Sequence, residues 1–167
     1  IEEDWNFAYH TADARLVTIA HQDDMYHKDY VKLLLKAWSR YPDMSLFTGG
    51  YVVVKEDKLA GFEKVEFIKR FLRLPLRLKP LCHKSFIKRS ALRFGNSICC
   101  PACTYNKEML GEPLFDSPYR FALDWDTLWK LAGRSGRFIC VEKPVMYCTA
   151  PSMSLIHISE PTRLDVI

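Results

Sequence analysis

A short apolar run, Leu16-Val17-Thr18-Ile19-Ala20, stops abruptly on His21-Gln22-Asp23-Asp24. The run is uninterrupted and partly β-branched, the pattern of a strand buried on both faces. A helical pattern begins at about His27. Such a strand belongs to an α/β sheet, and in open sheets of that class the ligand sits beyond the carboxyl ends of the strands. Two carboxylates and an imidazole are thus delivered where a site is expected. Aspartates at that place suit a hard divalent cation that grips phosphate oxygens. They would equally suit the cap of the next helix, and these residues alone leave both readings open.

A second stretch lies near the other end of the chain. In Phe121-Ala122-Leu123-Asp124-Trp125-Asp126-Thr127-Leu128-Trp129-Lys130-Leu131-Ala132, the positions Trp125, Leu128, Trp129 and Ala132 follow the i, i+3, i+4, i+7 spacing of a buried helix face. Asp124 stands at the helix start, where an N-cap and a catalytic carboxylate are both at home. Gly133 and Gly136 bracket the helix end, and Arg137 to Val141 reads as the next strand.

These two stretches resemble the family-2 glycosyltransferases of the GT-A fold. In that family a strand ends in an acidic Asp-x-Asp type motif, and a later helix opens with an Asp-Trp-Asp-like run. His21-Gln22-Asp23-Asp24 stands at the first motif and Leu123-Asp124-Trp125-Asp126 at the second. Between them, Thr104-Tyr105-Asn106-Lys107-Glu108-Met109-Leu110 looks like the family's strand-to-helix segment beside the acceptor, and the stretch from Asn6 through Tyr9–Asp13 like the helix before the metal strand. The likeness runs from about Asn6 to Ser154.

The resemblance implies an α/β fold: a GT-A, Rossmann-like mixed sheet flanked by helices, incomplete at the N-terminus. It implies transfer of a sugar, with inversion, from a nucleotide-sugar donor to a saccharide or lipid-linked acceptor, in the synthesis of cell-surface polysaccharide. Asp124 takes the catalytic position. His21, Asp23 and Asp24 take the donor-binding positions, and Asp23 holds a divalent metal, Mn²⁺ or Mg²⁺. The expected location is cytoplasmic, peripheral at the inner face of the cell membrane.

Three departures from the family pattern bear on these expectations. His21 replaces the leading Asp of the first motif; imidazole ligates Mn²⁺ but is a poor partner for Mg²⁺. Leu123 stands where a Glu often precedes the catalytic Asp. The family's first strands, which build the nucleobase pocket, are missing, so Ile1 reads as a point inside a domain. A partial domain over 1–154 is expected, with an exposed apolar edge, a tendency to associate and little activity. The tail 155–167 does not fit the family pattern and resembles translated adapter sequence, with an ordinary variable extension as the alternative.

Composition agrees with one globular domain, at 49% hydrophobic and 26% charged residues. No apolar run approaches the roughly 20 residues that span a bilayer. Of the six cysteines, Cys100-Pro101-Ala102-Cys103 has the C-x-x-C form, but a zinc site needs a second pair at suitable spacing. Reduced, buried thiols are expected, with Ile98 to Tyr105 as a buried strand.

The middle of the chain carries the charge asymmetry. Residues 64–93 hold ten Lys or Arg and one acid, Glu66, in a chain of net charge +4. A helix is expected from about Phe62 to Leu74 with Phe62, Val65, Ile68, Phe71 and Leu72 on its apolar side. A basic amphipathic segment of this kind suits an anionic membrane surface; a solvated helix face is the plain alternative. No recognised nucleic-acid motif accompanies it, and no nucleic-acid partner is expected. Two rivals to the transferase remain at this stage: a metal-dependent hydrolase using His21, Asp23 and Asp24, and a non-catalytic module acting through the basic face.

Overall fold

The computed structural model describes residues 1–21, 24–55, 58–59, 64–119 and 121–149. Asp23, the Phe62 end of the middle helix and the tail 155–167 lie outside them. Among the described residues, helix α1 (Glu2–Thr11) leads into strand β1 (Leu16–Thr18). Then follow β2 (Met25–Tyr26), helix α2 (Tyr30–Arg40), the long β3 (Met44–Lys55), β4 (Lys58–Leu59), helix α3 (Lys64–Leu72) and helix α4 (Ser85–Ser90). After a loop come β5 (Thr104–Asn106), the one-turn helix α5 (Lys107–Leu110), helix α6 (Leu123–Gly133) and β6 (Arg137–Thr149).

The strands form one mixed sheet in the order β1-β5-β3-β6-β2, with β4 paired to β3. β5 is antiparallel to both β1 and β3, and β3 is parallel to β6. So β1, β3 and β6 point the same way, and their carboxyl ends lie toward one end of the sheet. The α/β expectation holds at this level.

Two apolar clusters fill the two faces. One gathers Tyr9, Val17, Leu46, Tyr105, Phe115, Leu128 and Phe138 beneath α1, α4 and α6. The other gathers Tyr30, Leu34, Phe47, Ile139 and Met146 against α2. Each strand thus divides its residues between two cores: on β3, Leu46 faces the first and Phe47 the second.

Several local expectations shift. The pattern read from His27 becomes helical at Tyr30, because Met25 and Tyr26 are drawn into pairing with β6. Asp29 is the N-cap of that helix, so Asp24 is not its cap. The Gly49-Gly50 interruption does not end β3; the register shifts there instead, and β3 continues against β6. A Cβ on Gly49 would lie 2.6 Å from Val145, and one on Gly50 2.9 Å from the Glu142 carbonyl. The expected strand from Ile98 is a 3-10 turn at Cys100–Ala102 followed by β5. Pro101 explains this, since it offers no N–H to a ladder. All six cysteines are unpaired.

The turn from α6 into β6 rests on Gly136, at φ 91°. A Cβ there would come within 2.6 Å of Ser45 Cβ. Gly136→Ala is therefore expected to cost on the order of 2–3 kcal/mol, read as a lower urea midpoint with an unchanged m-value. A midpoint equal to that of the parent chain would show that the turn relaxes freely.

Candidate functional site

The site builds up from the carboxyl end of β1. Thr18 is the last residue of that strand and pairs with Thr104, which also pairs with Phe47 of β3. Immediately before Thr104 runs the turn Cys99–Cys103, which therefore lies past the carboxyl end of β1, while β3 and β6 continue beyond that level to Lys55 and Thr149. Hydroxyls join the layers there: Thr18 Oγ1 and Thr104 Oγ1 lie 2.8 Å apart, and Thr104 Oγ1 is 2.5 Å from Tyr30 Oη.

His21 leaves this end two residues beyond Ile19. Its ring lies against Trp5 of α1, with centroids 5.3 Å apart, and Trp5 in turn meets Phe115 edge-on at 5.0 Å. Asn6 holds that arrangement: its Nδ2 donates to the Phe115 carbonyl at 2.6 Å and its Oδ1 accepts from the Phe115 N–H at 2.9 Å. Both polar ends of Asn6 are thereby occupied by structure. His21 Nδ1 lies 3.9 Å from Asp24 Oδ2. Its other ring nitrogen, Nε2, is buried without a partner among the described residues. An orphaned imidazole nitrogen is costly unless a ligand atom satisfies it.

The Asp24 side chain is only 6% exposed. The Cys148 thiol on β6 sits 3.8 Å from that of Cys99. Its ionisation is pushed up by the hydrogen bond with Cys99, then by burial, then by Asp24, with which it also bonds. Cys99 moves the other way: the Cys148 bond lowers it, while burial and the Asp24 charge oppose. Asp24 is thus a buried carboxylate held among two thiols and an imidazole.

Asp124 enters from the opposite side. It lies in the first turn of α6, but the N-cap is Ala122, so Asp124 is not the capping residue. Its Oδ2 accepts from Asn96 Nδ2 at 2.6 Å, and its Oδ1 from the Trp125 N–H at 2.8 Å. An ionised carboxylate has about four acceptor positions, so both oxygens keep capacity for a further donor. Burial pushes the Cys100 thiol up to about 12, against its bond with Tyr105, and the charge of Asp124 adds to the rise. Neighbouring residues of one turn, Cys99 and Cys100, therefore feel two different carboxylates. The charges of Asp24 and Asp124, a hundred positions apart, thus both bear on this turn.

Asp126 is engaged along its own helix, 3.0 Å from Lys130 Nζ. Leu128 and Ala132 are buried as the helix spacing requires, and Trp129 packs against the core. Trp125 is instead part of a cleft of about 380 Å³, shared with Leu92, Arg93, Tyr119, Ala122, Asp126 and Trp129. Its indole N–H donates to the Leu92 carbonyl at 3.0 Å.

Among the described residues no three His, Cys, Asp or Glu side chains are arranged to hold a metal. Asp23, the expected metal ligand, lies outside them. Of the donors beside it in sequence, His21 Nε2 is buried with no partner among the described residues and is of the type that ligates Mn²⁺, while Asp24 lies on the side of the other ring nitrogen. Asn96 is the residue that sequence reasoning missed. Its one signal is a Gly95-Asn96-Ser97 loop, which reads as an ordinary turn.

No family model and no curated protein matches this chain.

Proposed function

We propose that this chain carries the site of an inverting glycosyltransferase of the family-2, GT-A kind. The observation that supports the reading most is the placing of Asp124. Its carboxylate is oriented by Asn96 and the Trp125 N–H in the first turn of α6 and keeps acceptor capacity, as a general base requires.

In this reading Asp124 is the general base. It takes the proton of the acceptor hydroxyl as that oxygen attacks the anomeric carbon of the donor. The new C–O bond forms as the bond from that carbon to the nucleoside diphosphate breaks, and the diphosphate departs with the electron pair. Attack opposite the leaving group inverts the anomeric centre. Asp23 and His21 would hold a divalent cation, which would supply charge neutralisation for the departing diphosphate. Asp24, buried and close to His21 Nδ1, orients the ring so that Nε2 faces the donor. The aromatic cleft at Trp125 and Trp129 forms the acceptor side.

Calorimetric titration with UDP, GDP and dTDP, each with and without Mn²⁺, tests the reading. One nucleoside diphosphate is expected to bind only when Mn²⁺ is present. Its hydrolysis by the protein would favour the hydrolase. No binding of any of the three with metal would overturn the assignment.

A further inference from the structure

Helix α3 is mounted with its polar side inward. Glu66, Lys69 and Arg73, at i, i+3 and i+7, all meet Tyr51 of β3. Tyr51 Oη donates to Glu66 Oε1 at 2.7 Å, Lys69 Nζ donates to Tyr51 Oη at 3.0 Å, and the Arg73 guanidinium lies 5.8 Å from the ring centre. Arg73 also donates to the Ser97 carbonyl at 2.5 Å, fixing the helix end.

At 100° per residue, the direction opposite those three positions is occupied by Phe67, Ile68 and Phe71. They are 62%, 55% and 64% exposed. Three large apolar side chains side by side on water are a docking feature, not the scattered exposure of an ordinary surface. The charge around them decides what docks. Residues 64–93 contain ten cations and one acid, and that acid, Glu66, is turned inward and paired with Lys69 at 3.9 Å. The segment therefore presents no acid of its own on the outward side. Arg70 beside the stripe is exposed. Past the helix end, Phe94 is exposed with the Arg93 guanidinium 5.7 Å from its ring centre, and a Cβ on the next residue, Gly95, would lie 3.9 Å from Leu72.

We propose that the outward face of α3 docks on an anionic lipid surface, with Phe67, Ile68 and Phe71 entering the boundary between headgroups and acyl chains and the surrounding Arg and Lys meeting the lipid phosphates. Apolar insertion combined with a cationic surround is the design of helices that lie in a membrane interface. No described helix is long and apolar enough to cross a membrane, so this contact is peripheral. The inference stands apart from the transferase reading, because its test reads lipid binding and not transfer.

The test is flotation of the 167-residue chain with phosphatidylcholine vesicles, with and without phosphatidylserine. Flotation separates lipid-bound protein from aggregate. The chain is expected to rise with the anionic vesicles and not with the neutral ones. Phe67→Ser combined with Phe71→Ser leaves the Tyr51 contacts untouched and is expected to weaken partitioning ten-fold or more, on the order set by two buried rings. Arg70→Gln is expected to weaken it about five-fold, the share of one basic residue at such a surface, and added salt should act in the same direction. Far-UV circular dichroism of each variant should match the parent. Equal binding to neutral vesicles, or unchanged flotation of the double Phe variant, overturns the proposal. So does a parent that ignores vesicles but is dimeric and becomes monomeric in the double variant, which would make the face a self-interface. So does retention on single-stranded RNA without vesicle binding.

Discussion

On the proposed reading, Asp124→Asn in a chain that carries the whole transferase domain is expected to slow sugar transfer by ~10²–10⁴-fold while leaving Mn²⁺-dependent donor binding in place. The reason lies in what the two oxygens do. Oδ1 meets the Trp125 N–H and Oδ2 meets Asn96, so the carboxylate is aimed by neighbours that do not depend on its charge. The amide keeps the first bond through its oxygen. It keeps the second if Asn96 turns its own amide over, and Asn96 Oδ1 is buried without a partner and ready to accept. Geometry survives and basicity is lost. Asp23→Asn is expected to do the reverse and weaken donor binding itself, because the cation links protein to diphosphate. His21→Asp should shift metal preference toward Mg²⁺, since it replaces imidazole with an oxygen ligand. Donor affinity by calorimetry and transfer rate, each with Mn²⁺ and with Mg²⁺, separate the roles. If Asp124→Asn abolishes donor binding while Asp23→Asn leaves it intact, the two roles are reversed.

The parts of this site that were legible in the sequence are those where one segment carries both an element and a functional side chain. The run Leu16–Ala20 announces a strand, but the strand is only Leu16–Thr18, at the edge of the sheet and with Val17 alone of the three buried, not one covered on both faces. The spacing of Leu128 and Ala132 announces α6 and sets Asp124 in its first turn. Thr104–Leu110 divides into strand and helix as its residues suggest. Relations between distant segments were not legible. Asn96 binds Asp124 across 28 positions from a loop with no periodic pattern. Cys99 and Cys148 meet across 49 positions because β6 runs through its irregularity and brings Cys148 back to the sheet end.

Amphipathicity was legible without its direction. The apolar positions of α3 read as one side of an amphipathic helix, and Glu66, Lys69 and Arg73 turn the other side toward the sheet. The Tyr51 hydroxyl supplies the cause: with both a donor and an acceptor on the helix, it selects the polar face. On α2 the i, i+3, i+4 spacing marks Tyr30, Val31, Leu34, Leu35 and Trp38 as one apolar face. Tyr30, Leu34 and Ala37 are the ones buried, while Val31 and Leu35 stay exposed. Periodicity identifies a stripe; the neighbouring side chains decide how much of it is covered.

The largest stability effect is expected at Lys88, a fully buried cation on α4. Its Nζ donates to the Arg134 carbonyl at 2.6 Å and to the Gly136 carbonyl at 2.9 Å, and lies 5.0 Å from the ring centre of Phe138. One side chain thus ties α4 to the turn between α6 and β6, the turn that also depends on Gly136. Lys88→Ala removes a buried stem and leaves two carbonyls without their donor, so a loss of about 3–5 kcal/mol is expected. Lys88→Met keeps the volume and removes only the donor and charge, with an expected loss of about 1–3 kcal/mol at neutral pH. Burial lowers the ammonium pKa from 10.5 to about 8, with Arg89 adding to the fall and Cys82 opposing it. Between those values the unfolded chain holds a proton that the folded chain has released. Stability from Lys88 therefore rises as pH climbs from about 8 to 10.5. Buried thiols act in the opposite sense. Burial raises Cys100 to about 12 and Cys140 to about 11 from 9.0, so their contribution is present below 9 and lost above it. Only the difference between parent and Lys88→Met isolates the lysine. Urea unfolding at a series of pH values should show that gap widening in favour of the parent from about pH 8 upward. A gap that stays constant across the range would mean that the ammonium keeps its proton, and an unaffected Lys88→Ala would remove Lys88 from the account of what holds the turn.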